Sequence, residues 1–204
     1  VTGASGFIGN RVLKRLISIP NYRVTCISRS KDSIKSDLGI TGDILNVLKV
    51  DVLNYEELVK CMNGIDTAFY LIHSMEGSAK DWTKFADRDR LAAENFAKAA
   101  TECNVKKIIY LGGLTYATKE EMSEHMKSRT EVGNILRTSS AKVTIFRAAV
   151  ILGQGGGSFQ MLKYLVERLP LMVCPKWVLT KTQPIAVEDV VEYLVRSIEI
   201  SETL

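Results

Sequence analysis

The chain has 204 residues, 46% hydrophobic and 25% charged, which is ordinary for a folded domain and excludes disordered or collagen-like chains. That length predicts one compact domain whose core needs no metal or disulfide staple. A formal net charge of +4 is too small a surplus to indicate a nucleic-acid partner, and no apolar run reaches the roughly 18 residues of a membrane helix. The four cysteines, at 26, 61, 103 and 174, form neither a CxxC pair nor a Cys/His cluster. Free buried thiols, no metal and a reducing, cytoplasmic setting are expected.

The chain opens on Val1-Thr2-Gly3-Ala4-Ser5-Gly6-Phe7-Ile8-Gly9, a G-x-x-G-x-x-G run placed where a strand ends and a helix begins. Because this start falls inside a motif, a few residues are expected to precede Val1. Helical spacing then covers residues 6–18, and β-branched runs alternate with helical segments along the rest of the chain. Strands are predicted at 23–28, 45–50, 67–72, 107–111 and 143–148, and helices at 55–63, 81–103, 123–138, 158–169 and 187–198. The clearest helix is 81–103, where Phe85, Ala92, Ala93, Phe96, Ala97 and Ala100 form one apolar stripe. Residues 31–42 read as a polar loop, and Gly153 to Gly157 is the densest glycine cluster. Alternating strands and helices imply right-handed crossovers around a parallel sheet. The expected fold class is therefore α/β, a doubly wound Rossmann fold filling residues 1–204 with a small substrate-side region near 153–186.

In the opening motif Gly3 permits the tight turn, Gly6 lets backbone approach a pyrophosphate, and Gly9 lets the helix pack on the sheet. A diphosphate would meet the helix N-terminus, where unpaired N–H groups and the macrodipole favour anions, with Ser5, Phe7 and Ile8 around it. A dinucleotide site follows from that turn in its strand–turn–helix context. About 20 residues on, an NAD site would show a carboxylate for the ribose 2′-hydroxyl. This chain has Ser28-Arg29-Ser30 instead. A guanidinium pairs with a 2′-phosphate, so NADP(H) is preferred over NAD(H). Arg11, Lys14, Arg15, Arg23, Arg29, Lys31 and Lys35 outnumber Asp32 and Asp37 over the same stretch, although solvated surface charge explains most of them.

These residues, with Asp51-Val52, Phe69-Tyr70-Leu71-Ile72-His73 and Arg147-Ala148-Ala149, resemble the short-chain dehydrogenase/reductase superfamily in its extended and atypical branch. The resemblance implies that Asp51 and Val52 flank the adenine and that Leu71, Ile72 and His73 line the cofactor groove; core packing is the competing reading of the apolar members. More narrowly, Tyr110-Leu111-Gly112-Gly113-Leu114, the 125–133 segment and Gln183-Pro184-Ile185 resemble NmrA-like proteins and a nucleotide-binding accessory subunit of respiratory complex I. Full-length relatives of this kind often continue past the equivalent of residue 204.

The family's chemistry uses a Tyr-x-x-x-Lys pair, and no tyrosine here has a lysine four residues on. His125 and Arg129 keep the i, i+4 spacing at the corresponding place. An imidazole exchanges protons near neutrality, and a neighbouring guanidinium favours its neutral form. Arginine, however, cannot copy the compact ammonium of lysine. Gly112 and Gly113 stand where a strand-end serine belongs, with Thr115 and Tyr116 as nearby substitutes. A surface role for His125 and a solvated loop role for Tyr116 stay open, as does the choice between an anion-binding loop, a lid and a plain loop at Gly153-Gly157. The expected function is an NADP(H)-dependent oxidoreductase of unknown small-molecule substrate. The alternative is a non-catalytic sensor or assembly module acting on a protein partner or as a homodimer.

Overall fold

The computed structural model describes residues 1–29, 44–72, 82–114, 122–168 and 181–200. The expected loop at 31–42 lies outside them, as does Cys174. In chain order the elements are α1 (Phe7–Ile17), β1 (Val24–Ser28), β2 (Leu45–Lys49), α2 (Tyr55–Met62), β3 (Thr67–Tyr70), α3 (Trp82–Glu102), β4 (Lys107–Gly113), α4 (Glu124–Leu136), β5 (Lys142–Ala148), β6 (Ile151–Leu152), α5 (Gly157–Arg168), β7 (Ile185–Ala186) and α6 (Val187–Arg196).

Every ladder is parallel. β1 pairs with β2, β3 with β4 and β4 with β5. Between the first two groups run Val1 and Thr2. The Ile27 N–H donates to the Val1 carbonyl at 3.0 Å, and the Thr2 N–H donates to Phe69 O at 2.9 Å. The spatial order is therefore β2, β1, residues 1–2, β3, β4, β5, and the chain reverses direction across the sheet beside the glycine turn. In open α/β sheets that reversal is where ligands bind.

Thr2 also closes the ladder with its side chain. Its hydroxyl donates to Phe69 O and accepts from the Leu71 N–H, both at 3.0 Å. Leu71 and Ile72, expected as strand, therefore leave the ladder, and β3 ends at Tyr70.

Side-chain alternation buries the sheet on both faces, as a doubly wound fold requires. Ile109 and Leu111 of β4 pack with Val12, Leu13 and Leu16 of α1 and with Val190 and Leu194 of α6. Ile108 and Tyr110 pack on the other face with Leu58 of α2, Phe96 of α3 and Leu136 of α4. Tyr70 meets Phe96 edge-on at 4.9 Å between ring centroids, a geometry the ring quadrupoles favour. Cys26 is buried, and Cys61 and Cys103 are half-buried free thiols. No helix among the described residues is long and apolar enough to cross a membrane.

β6 and β7, not anticipated from sequence, pair Ile151 with Ile185 and Leu152 with Ala186. They carry α5 and α6 back to the carboxyl edge of the sheet. Two glycines of the 153–157 cluster, Gly153 and Gly156, are packed there, whereas Gly155 and Gly157 face open space. A Cβ on Gly153 would lie 2.4 Å from Val187 Cγ1, and one on Gly156 would lie 2.9 Å from the Phe7 ring.

Candidate functional site

Gly3 turns the chain with φ +65, a left-handed value that side chains resist. A Cβ there would also stand 2.4 Å from Leu71 O. Gly9 is needed for proximity, since its Cβ would fall 2.0 Å from Gly3 O and 3.0 Å from Ala4 Cα. Both substitutions would meet backbone, which cannot rotate away. Between them Ser5 and Gly6 are exposed. Gly6 caps α1 in an extended conformation, no side chain accepts from the helix N-terminus, and the first turn holds no acidic residue. The start of α1 thus presents unpaired donors and a positive dipole end to solvent, which suits a diphosphate. Phe7 and Ile8 are half-buried against the core, so their contribution to such a ligand is backbone N–H. Arg11 straps the turn to the glycine cluster, donating to Phe7 O at 2.9 Å and to Gln154 O at 2.7 Å with its guanidinium 4.4 Å over the Phe7 ring.

The other expected cofactor residues fall on the same carboxyl edge. Ser28 closes β1 half-buried and Arg29 follows it, exposed, with no ion pair to a described residue. Asp51 and Val52 follow β2 in a braced loop. Asp51 Oδ1 accepts from the Leu53 N–H at 3.0 Å, and Asn54 caps α2 by accepting from the Glu57 N–H at 3.3 Å. Asn95 of α3 donates to Val52 O at 3.3 Å and to Leu53 O at 2.9 Å. Sequence reading missed Asn95, whose only trace is one amide beside an apolar stripe. Leu71 and Ile72 are half-buried next to Gly3. His73, Thr115 and Tyr116 lie outside the described residues.

His125 and Arg129 stand on α4, which Ser123 caps by accepting from the Met126 N–H at 3.3 Å. Arg129 reaches under the end of β4, where Nη2 donates to Leu111 O at 2.7 Å. The Tyr110 hydroxyl donates to Arg129 O at 3.0 Å, fixing the helix turn from the sheet side. Across the interface, Asp89 of α3 is only 9% exposed and accepts from the Ser128 hydroxyl at 3.5 Å. Burial holds the His125 pKa below its ordinary value, the Arg129 charge adds to that, and the Asp89 carboxylate partly opposes it. The first cause is thus desolvation and not the guanidinium alone. The arrangement keeps a neutral imidazole, able to accept or pass a proton.

This has a pH consequence. A histidine whose folded pKa lies below the unfolded 6.5 binds fewer protons in the native state there. Its contribution to stability is complete above 6.5 and is lost as pH falls through the folded value. Thermal unfolding followed from pH 8 to 5 is expected to show His125→Gln losing less Tm on acidification than the parent. Parallel curves would mean that His125 titrates as it does in the unfolded chain.

Residues 3–169 match the model of a family described as NAD(P)H-binding. The auxiliary protein GraX of Staphylococcus aureus is 34% identical over 118 residues, 57% of this chain and 36% of that protein. Cinnamoyl-CoA reductase 1 of Petunia hybrida is 28% identical over 118 residues, 56% of this chain and 34% of that one. The chain thus spans about a third of the length of these curated relatives. Among solved structures, Pen from Bacillus thuringiensis superposes with a TM-score of 0.80 at 15% identity, over 98% of this chain and 65% of that one. Triphenylmethane reductase of Citrobacter sp. complexed with NADP(H) gives 0.56 at 26% identity, over 74% of this chain and 48% of that one. With the parallel sheet, the glycine turn and the carboxyl-edge loops in place, the chain belongs to the NAD(P)H-binding family, as a Rossmann domain of the extended short-chain dehydrogenase/reductase superfamily.

Proposed function

We propose that this protein is an NADPH-dependent reductase of a small carbonyl-type substrate, in the atypical branch similar to NmrA-like and complex I accessory proteins. One observation carries the cofactor choice: Arg29, exposed at the end of β1 where an NAD site carries an acid, on the edge that also holds the open turn at α1. The likeness to the Citrobacter reductase complexed with NADP(H) supports the same cofactor, and the likeness to the Petunia reductase supports a reductase. Ser5, Gly6 and the first N–H groups of α1 would hold the diphosphate, Arg29 and Ser28 the 2′-phosphate, Asp51 and Val52 the adenine, and Leu71, Ile72 and His73 the groove wall. When bound, the nucleotide supplies hydride. His125, neutral, would relay a proton from solvent to the substrate oxygen, taking one up at one ring nitrogen as it gives one from the other, with Tyr116 as a second donor, while Arg129 positions α4 against Leu111 O. A reducing, cytoplasmic compartment fits the free thiols.

The test is NADPH oxidation followed with a panel of aldehydes and ketones. Turnover of at least one is expected, and His125→Ala should lower kcat by about 100-fold while NADPH affinity stays within about twofold. Turnover that survives the substitution removes the proton role. A second reading, a nucleotide sensor without catalysis that acts through a protein partner or a second copy, is favoured by the missing Tyr-x-x-x-Lys pair and by the GraX likeness. It predicts tight NADPH binding with no oxidation by any member of the panel.

A further inference from the structure

We infer that the crevice between α4 and the ends of β4 and β5 is an oxyanion subsite, in which Arg129 and Arg147 grip a carboxylate or phosphate group carried by the substrate. The register places Arg147 beside Gly112. Alternation along the strands turns Tyr110, Gly112, Ile145 and Arg147 toward α4, whose Arg129, Thr130 and Asn134 form the opposite wall. The floor between the two arginines is glycine backbone at Gly112, with the Tyr110 ring beside it and the Met126 side chain packed over the neighbouring Gly113.

The donors there exceed what the described residues consume. A guanidinium carries five N–H donors, and Arg129 commits Nη2 to Leu111 O. Arg147 is exposed, and neither arginine pairs with a carboxylate among the described residues. Two guanidiniums lining one crevice repel each other unless an anion lies between them. Arginine forks match carboxylate and phosphate oxygens in geometry as well as charge. The enclosed volume is only about 10 Å³, enough for roughly one oxygen atom or water. A compact oxyanion would seat one oxygen on the glycine floor and leave the rest at the mouth under Arg147.

The crevice lies where Gly112 and Gly113 end β4 beside Arg147 and Ala148, on the carboxyl edge shared with the glycine turn, so a substrate held there lies at the cofactor edge of the sheet. The inference rests on the proposed reductase reading only in calling the bound molecule a substrate. Anion binding itself is independent of it.

Inorganic phosphate and acetate are titrated calorimetrically into the full chain at constant ionic strength, first without nucleotide and then with saturating NADPH, which fills any phosphate site at the α1 turn. Saturable binding that persists with NADPH is expected, and the tighter probe identifies the group. Arg147→Gln, an exposed change away from the core, should weaken it by at least about tenfold while NADPH affinity stays within about twofold. Arg129→Lys, which keeps the charge and removes the fork, should weaken it in the same direction. Absence of saturable binding, affinity unchanged in Arg147→Gln, or binding displaced entirely by NADPH overturns the subsite. Should NADPH itself not bind, the reductase reading fails, and the nucleotide-free comparison of parent with Arg147→Gln still decides the anion question.

Discussion

Gly9→Ala is expected to abolish measurable nucleotide binding and to lower the unfolding free energy by about 3 kcal/mol or more, at the upper end of overpacking costs. The added carbon would stand 2.0 Å from Gly3 O, 2.7 Å from Gly3 C and 3.0 Å from Ala4 Cα. None of these atoms belongs to a side chain that could swing aside. Relief requires α1 to move off the turn, and α1 carries Val12, Leu13 and Leu16 into one half of the core. The same displacement opens the Gly6 N–H to Gly3 O bond of 2.9 Å that shapes the turn. Urea unfolding and a nicotinamide fluorescence titration check both parts. A Gly9→Ala protein with parental stability and nucleotide affinity would falsify the close approach of helix and turn.

Arg29→Asp is expected to reverse cofactor preference, shifting the ratio of NADH to NADPH dissociation constants by about 100- to 1000-fold. A charge-assisted bond to a phosphate contributes roughly 1.5–3 kcal/mol. Its loss is compounded by repulsion between the new carboxylate and the 2′-phosphate. For NADH the same carboxylate gains a partner in the ribose 2′-hydroxyl. Together these amount to about 3–4 kcal/mol, and each 1.4 kcal/mol is tenfold. Arg29 is exposed after the end of β1, so the substitution should leave stability near the parent's. Parallel titrations of both nucleotides into both proteins give the ratio directly. Equal affinities in the parent, or no change on substitution, remove the NADP(H) assignment.

Most of the fold was legible because its signals are local. The helices expected at 55–63 and 123–138 are α2 and α4, and in the structure Asn54 and Ser123 cap their starts by accepting a backbone N–H. The expected strand at 107–111 was two residues short, since glycine carries little strand preference of its own. Gly112 and Gly113 remain in β4 because Arg147 and Ala148 of β5 pair with them, a long-range ladder that overrides local preference. β6 and β7 are two residues each, too short for any periodicity. The glycine turn was legible for the reason that φ and close approach are properties of one residue and its neighbours. Contacts that arise only when distant segments meet were not: the Asn95 amide on Val52 and Leu53, the Arg147 side chain beside α4, and the Asp89 carboxylate facing Ser128 and His125. The i, i+4 spacing of His125 and Arg129 was visible, but the destination of the guanidinium at Leu111 O was not.

Phe7 lies in the first turn of α1 and also fills the space left by the missing side chains of Gly153 and Gly156, while Arg11 reaches from the same helix to Gln154 O. The wall that faces a dinucleotide is therefore also the footing of the chain's last third. Sequence drift in the two regions is consequently tied together: a bulkier ring at position 7 demands retreat at 153 or 156, and a methyl group at 156 demands a smaller ring. Binding specificity can be retuned at Arg29 without disturbing that bargain, whereas the opening helix and the segment leading to α6 have to change as a pair.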